Sequence, residues 1–272
     1  MKNKIFFTIF TFFGLLFVSN LFATVGVSDT YMLLENNTRN ASFTVFNRSD
    51  EPHDYKITFV HFLQDKTGGY KPLDKESDII KFADTFLIYT PRQFHLEAGG
   101  SQVIRLQKKS MVTALDGEYV SHILISEQPP VIDDSEVVKK SDKMEFVINQ
   151  VFATSFPVVV RKGTLNLDVS STDVIFKQEK THMTAKFTIN ITGNKSLRAD
   201  VFIKDGDQII ALMKGANIFL SSKTRDVVLN FADGNDKMNK FIKDYKGKTL
   251  SFEILDSITN SSLYKKNITV KI

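Results

Sequence analysis

Alternation of apolar and polar residues with a period of two recurs along the chain, and it limits the fold more than any other feature. It is plain in Ala41–Phe46, Tyr55–Val60, Gln102–Leu106 and Tyr119–Ile125, and again in Lys186–Ile191, Asp226–Phe231 and Thr249–Leu255. Each segment is short, rich in β-branched or aromatic residues, and bounded by Gly, Asn, Asp, Ser or Pro. A period of two puts the apolar residues on one face of a strand. A chain made of such strands buries those faces by stacking sheet on sheet, as a β-sandwich. No long stretch has a 3.6-residue period. Asn235–Tyr245 reads as one short helix, with Met238, Phe241 and Ile242 on its apolar side.

The N-terminus reads differently. Lys2 and Lys4 precede an apolar run, Ile5–Val18, and Ser19-Asn-Leu-Phe-Ala23 offers a cleavage site after Ala23. A run of about 14 residues falls short of the ~20 that span a bilayer, so 1–23 reads as a signal peptide rather than an uncleaved anchor. No other stretch approaches membrane-spanning length. The expected mature chain carries a formal charge of +2, because the leader removes two lysines from the +4 of the whole. So small and dispersed an excess does not suggest nucleic acid.

The chain has no cysteine, which excludes disulfides, zinc–cysteine sites and thiol nucleophiles. Seven Asn-x-Ser/Thr sequons, at Asn36, Asn40, Asn47, Asn190, Asn194, Asn260 and Asn267, fit either a glycosylated ectodomain or chance in an Asn-rich chain. The missing cysteines favour a bacterial exported protein.

A seam falls near Arg161. The long apolar segment Glu145–Val160 ends in Phe156-Pro-Val-Val-Val160, the polar turn Arg161-Lys-Gly163 follows, and a new alternating strand begins at Thr164. The expected organisation is a leader (1–23), an N-terminal immunoglobulin-like domain (24–160), an interdomain turn (161–163) and a second such domain (164–272). Ser126–Lys143, with Pro129-Pro130, Asp133-Asp134 and Lys139-Lys140, reads as a long surface loop.

Catalytic constellations are missing from the sequence. There is no Gly-x-Ser-x-Gly elbow, His-Glu-x-x-His or phosphate-binding glycine loop. His53, His61, His95, His122 and His182 show no metal-ligand spacing, and His122 reads as a satisfied structural histidine. Asp233-Gly-Asn-Asp236 lacks the ligand series of a calcium loop, and Glu35-Asn-Asn37 reads as a turn. The chain therefore reads as a non-enzyme without metal or cofactor.

One segment resembles a known family. Tyr89-Thr-Pro-Arg-Gln-Phe-His-Leu-Glu-Ala-Gly-Gly-Ser-Gln-Val-Ile-Arg-Leu106 is similar to the stretch P-x-x-F-x-L-x-P-G-x-x-Q-x-V-R of PapD-like periplasmic pilus chaperones. Asn40–Asn47, Gly117–Ile125 and Phe152–Arg161 resemble that family's second, sixth and seventh strands. Phe219-Leu-Ser-Ser222, Lys243–Gly247 and Leu250-Ser-Phe252 match it in style.

The resemblance implies two immunoglobulin-like sandwiches in a boomerang arrangement. It also implies a periplasmic chaperone that caps secreted pilus or fibre subunits by lending them a β-strand, without cofactor or ATP. Implied partners are the subunits and an outer-membrane usher. Insertion of the mature chain into a membrane is not implied, and the protein would be a monomer or a weak self-capping dimer. The lent strand would be Met144–Phe156, with Phe146, Ile148 and Phe152 filling the subunit's groove. Packing of these residues in the protein's own core is the other reading, and a one-residue slip would exchange the faces.

Glu118, Arg161 and Asp244 match the family's interdomain ion cluster. Two basic residues that grip the subunit's C-terminal carboxylate in that family fall here on Tyr31 and Pro157, which carry no positive charge. Lys162 and Arg39 are available substitutes, though no spacing singles out either. An exported surface or adhesion protein that binds through its loops is the alternative on the same fold.

Overall fold

The computed structural model describes residues 25–77, 79–129, 151–178, 183–231 and 245–271. Expectations for the leader, for most of the 126–143 loop, for the short helix before Tyr245 and for His182 lie outside these residues, as do Phe146, Ile148 and Asp244.

The first core closes between two sheets. One has the order β1 (Val25–Val27), β3 (Asn40–Asn47), β9 (Ser101–Lys108), β7 (Leu87–Thr90). The other has the order β2 (Met32–Leu34), β11 (Ala153–Lys162), β10 (Gly117–Glu127), β4 (His53–Val60), β8 (Gln93–Leu96). The alternating residues behave as their period requires. Phe43, Val45, Ile104 and Leu106 of the first sheet meet Tyr55, Ile57, Ile123, Ile125, Phe156, Val158 and Val160 of the second. The Phe43 and Phe156 rings touch edge to face across the sandwich, 5.0 Å apart. The glycine turn expected at Gly99-Gly100 forms: Gly99 has φ +69°, and the Gly100 N–H donates to the Glu97 carbonyl.

Asn47, which ends β3, is 2 % exposed. Its amide donates to the carbonyls of Glu51, Leu96 and Glu97 and accepts from the Ser49 N–H and hydroxyl. A residue so fully engaged is a fold determinant, and its sequon is inaccessible to a glycan in the folded state.

The second core forms in the same way. β14 (Met183–Gly193) pairs along one edge with β12 (Leu167–Ser171) and β13 (Ile175–Gln178) in succession, and along the other with β17 (Thr224–Asn230). The facing sheet has the order β16 (Gln208–Ile218), β15 (Leu197–Asp205), β18 (Thr249–Asp256), β19 (Ser262–Thr269). Phe187 and Phe252 bridge the two layers, with ring centroids 4.7 Å apart. The strand expected from Thr164 begins instead at Leu167. Among the described residues no helix is long and apolar enough to cross a membrane.

A small hairpin, β5 (Phe62–Gln64) and β6 (Tyr70–Pro72), forms a two-stranded sheet of its own, strand-paired into neither sandwich's sheets. It leaves β4 and reaches the second sandwich.

Candidate functional site

The outer face of the β10–β11 pair carries the contact between the sandwiches. Tyr119, Ile123 and Ile125 point into the first core, so Glu118, Val120, His122 and Leu124 point away from it. On β11 the same rule sends Phe156, Val158 and Val160 inward and leaves Pro157, Val159 and Arg161 outside. Val159 and Arg161 are nevertheless buried, at 0 % and 5 % exposure, and Arg161 bonds to the second sandwich.

Glu118 and Arg161 are direct cross-strand partners. The Arg161 Nε–H donates to Glu118 Oε2 at 2.9 Å. Its Nη1 donates to Glu35 Oε1 at 3.3 Å, and its Nη2 to the Ser196 carbonyl at 2.9 Å. The Ser196 N–H in turn donates to Glu118 Oε2 at 3.1 Å. One loop of the second sandwich thus offers an acceptor to the cation and a donor to the anion of a buried pair. The fork geometry of guanidinium makes this three-way arrangement possible. Of the residues expected in the ion cluster, Glu118 and Arg161 come together, and Asp244 lies outside the described residues. Glu35 does form a turn, through Thr38 N–H to its carbonyl, and its carboxylate also joins the cluster. Ser196 participates through its backbone, for which no side-chain signal exists.

The β5–β6 hairpin supplies a second contact. Gln64 is buried, accepts from the Phe219 N–H at 3.0 Å, and donates to the Asn217 carbonyl at 3.1 Å. The Asp226 N–H donates to the Lys66 carbonyl at 2.7 Å. Between the two contacts lies His122, under Phe62, Tyr70 and Phe219, with ring centroids 5.0, 5.3 and 6.0 Å away.

The expectation of a satisfied histidine needs correction. His122 is structural and 3 % exposed, but neither ring nitrogen has a hydrogen-bond partner among the described residues. Of the rings above it only Tyr70 carries a hydroxyl oxygen, which accepts from the Gln64 side chain and makes no bond to either His122 nitrogen. Burial, and secondarily the neighbouring His61, pushes its pKa down to about 4, so the ring is neutral.

Tyr31 lies at the edge of the same interface. The Arg198 guanidinium sits over its ring at 4.8 Å and donates to the Thr30 hydroxyl and the Asn217 side chain. Burial, followed by the charge of Glu118, pushes the Tyr31 phenol well above its ordinary pKa. Pro157 stands opposite His122 on the neighbouring strand. Arg39 and Lys162, the available substitutes, line a different cavity near the end of the first sandwich.

Phe152 is half-buried and packs against the first core, in phase with Phe156, Val158 and Val160. Val151, Ala153 and Ser155 take the exposed phase. The edge they lie on is notable. β11 pairs with β10 from Ala153 to Lys162, whereas β2 covers its other side only at Val158–Val160. Among the described residues, Ala153–Pro157 thus has one unpaired edge. No group of three His, Asp or Glu residues that could hold a metal occurs among the described residues.

These features define a class: two sandwiches, antiparallel except where β2 runs parallel to β11, clasped through a buried arginine, with an open strand edge on the first. Solved structures similar to the chain include several chaperones. The class 5 fimbriae chaperone CfaA is 16% identical, with 91% of this chain and 100% of that one covered and a TM-score of 0.45. The CupB2 chaperone of Pseudomonas aeruginosa is 13% identical, with 90% and 100% covered and a TM-score of 0.44. The YadV chaperone is 14% identical, with 91% and 100% covered and a TM-score of 0.43. No family model matches the sequence, and no curated protein does.

Proposed function

We propose that the protein is a periplasmic chaperone that captures secreted pilus or fibre subunits by lending a β-strand, about residues 144–156. The observation that carries the reading is the half-covered β11. An open main-chain edge, accessible at Ala153–Ser155, is what strand addition requires, because the partner's N–H and C=O groups bond to it while alternate side chains enter pockets. The segment Met144–Phe152 leads directly into that edge. Phe146 and Ile148 are the groove fillers in this reading. Phe152, seated against the first core, is the root of the same stripe.

The clasp supports the reading from another side. A chaperone that holds one client between two sandwiches needs a set angle between them, and the Glu118–Arg161–Ser196 arrangement, with Gln64 at the hairpin, couples them. In this reading the chain divides into a leader (1–23), a client-binding domain (24–160), a turn (161–163) and a second domain (164–272). An outer-membrane usher is the expected acceptor of the capped subunit.

Co-expression with a fibre subunit whose sandwich lacks one strand tests the proposal. The expected result is a one-to-one complex on size exclusion that is lost in the Phe146→Asp/Ile148→Asp variant. Circular dichroism should show the variant still folded. Undiminished capture by that folded variant would exclude 144–156 as the lent strand.

A further inference from the structure

A second site lies on the first sandwich, away from the open edge. Five cationic side chains line a cavity of about 480 Å3: Arg39 at the start of β3, Lys108 and Lys109 at the end of β9, and Arg161 and Lys162 at the end of β11. No carboxylate residue shares the lining, and Asn36, Asn37 and Ser110 add neutral donors. The volume falls within the range of roughly 300–1,000 Å3 found for small-molecule sites.

The charges are unevenly compensated. Arg161 is neutralised by Glu118 and Glu35, and Lys162 lies 3.8 Å from Asp116. Lys109 donates to the Thr85 carbonyl, and Lys108 to the carbonyls of Glu35 and Asn36. Carbonyls solvate an ammonium without cancelling its charge. The Arg39 guanidinium has no ion-pair or hydrogen-bond partner among the described residues.

Arg39 and Lys108 are held close together by the backbone bond from the Lys108 N–H to the Arg39 carbonyl, 2.7 Å. Burial, and then the charge of Arg39, lowers the pKa of Lys108. Three positive charges are left without a counter-charge around one concavity. A fold keeps such a repulsive group more readily where an anion relieves it.

We propose that this cavity binds a doubly charged oxyanion, phosphate or sulfate, either free or as the ester of a small soluble molecule. The guanidinium of Arg39 suits two oxygens of such a group, and Lys108 and Lys109 supply the remaining positive charge. A monocarboxylate would leave two of the three cations uncompensated. Nucleic acid fits poorly, because the cations are gathered in one concavity instead of running along a stripe.

Titration of the purified protein by isothermal calorimetry tests the assignment, with inorganic phosphate, sulfate, glycerol 3-phosphate and acetate as probes. Phosphate and sulfate should bind at least tenfold more tightly than acetate, and binding should weaken as sodium chloride rises. Glycerol 3-phosphate binding more tightly than phosphate identifies an ester as the ligand class; weaker binding identifies the free anion. Arg39→Gln and Lys108→Gln should each weaken phosphate binding about fivefold or more with unchanged thermal midpoints, whereas Lys56→Gln, far from the cavity lining, should not. Acetate binding equal to phosphate, a peptide carboxylate binding more tightly than either dianion, or variants that bind like the parent would each overturn the proposal.

Discussion

Burial of His122 beneath Phe62, Tyr70 and Phe219 ties one ionisable ring to the contact between the sandwiches. The consequence is a defined dependence on pH. An unfolded histidine titrates near 6.5, while the folded ring titrates at about 4. Above the unfolded value both states are neutral and the residue contributes no pH dependence. Between the two values the unfolded chain takes up a proton that the folded one refuses, so stability falls as pH falls. The loss is complete below the folded value and amounts to about 3 kcal/mol at ~1.4 kcal/mol per pH unit. Urea melts of the parent and of His122→Leu, compared from pH 7.5 to 4, should diverge by roughly that amount. Parallel curves would mean that the ring finds an acceptor on protonation. The sequence placed His122 on a face with Val120 and Leu124, which is correct. It carried no sign that this face would be covered by residues about 60 positions before and 100 after.

At the scale of elements, strands were the easiest part to read. β3 spans the residues that alternation picks out, and the Gly99 turn falls where the paired glycines put it. The β5–β6 hairpin was not legible, because three-residue strands carry too little pattern to separate them from loop. Gly163 illustrates a position where local chemistry decides the join between β11 and β12. Its φ is +78°, and both its N–H and its carbonyl bond to the Asn36 side chain, at 2.9 and 3.1 Å. An added methyl group would meet the Asp116 carboxylate, which can rotate away, and also the Asp116 Cβ at 2.8 Å, which cannot, so a steric clash adds to the backbone strain. Gly163→Ala should lower stability by about 2 kcal/mol, read as a shifted urea midpoint with an unchanged slope. An unaltered midpoint would show that the turn relaxes into another conformation.

For the whole molecule the question is what makes two sandwiches act as one body. The Glu118–Arg161 pair is almost wholly buried and is closed by Ser196, so removing one partner leaves a desolvated charge behind. Arg161→Ala should cost about 3–5 kcal/mol, whereas Glu118→Leu/Arg161→Met, which removes both charges, should cost much less. Denaturation of both variants measures the difference. A single unfolding transition that splits into two in Arg161→Ala would locate the coupling in this clasp. Equal costs for the single and double variants would show instead that the side-chain stems, not the charges, hold the contact.

Strand character and the two-core organisation, with a seam near Arg161, were present in the sequence. Side-chain period and turn residues act locally, and local order survives translation into a linear text. What surrounds Arg161 was decided by the tertiary structure alone. Glu118 reaches it because β10 and β11 pair in one register, Glu35 because a turn ends beside it, and Ser196 through a backbone group that has no letter of its own. The same holds for His122, whose neutrality follows from the rings folded over it, and for Arg39 and Lys108, whose shared cavity exists only because β3 and β9 are neighbours. Electrostatic energies depend on distance and burial, and both are settled by packing between segments far apart in the chain.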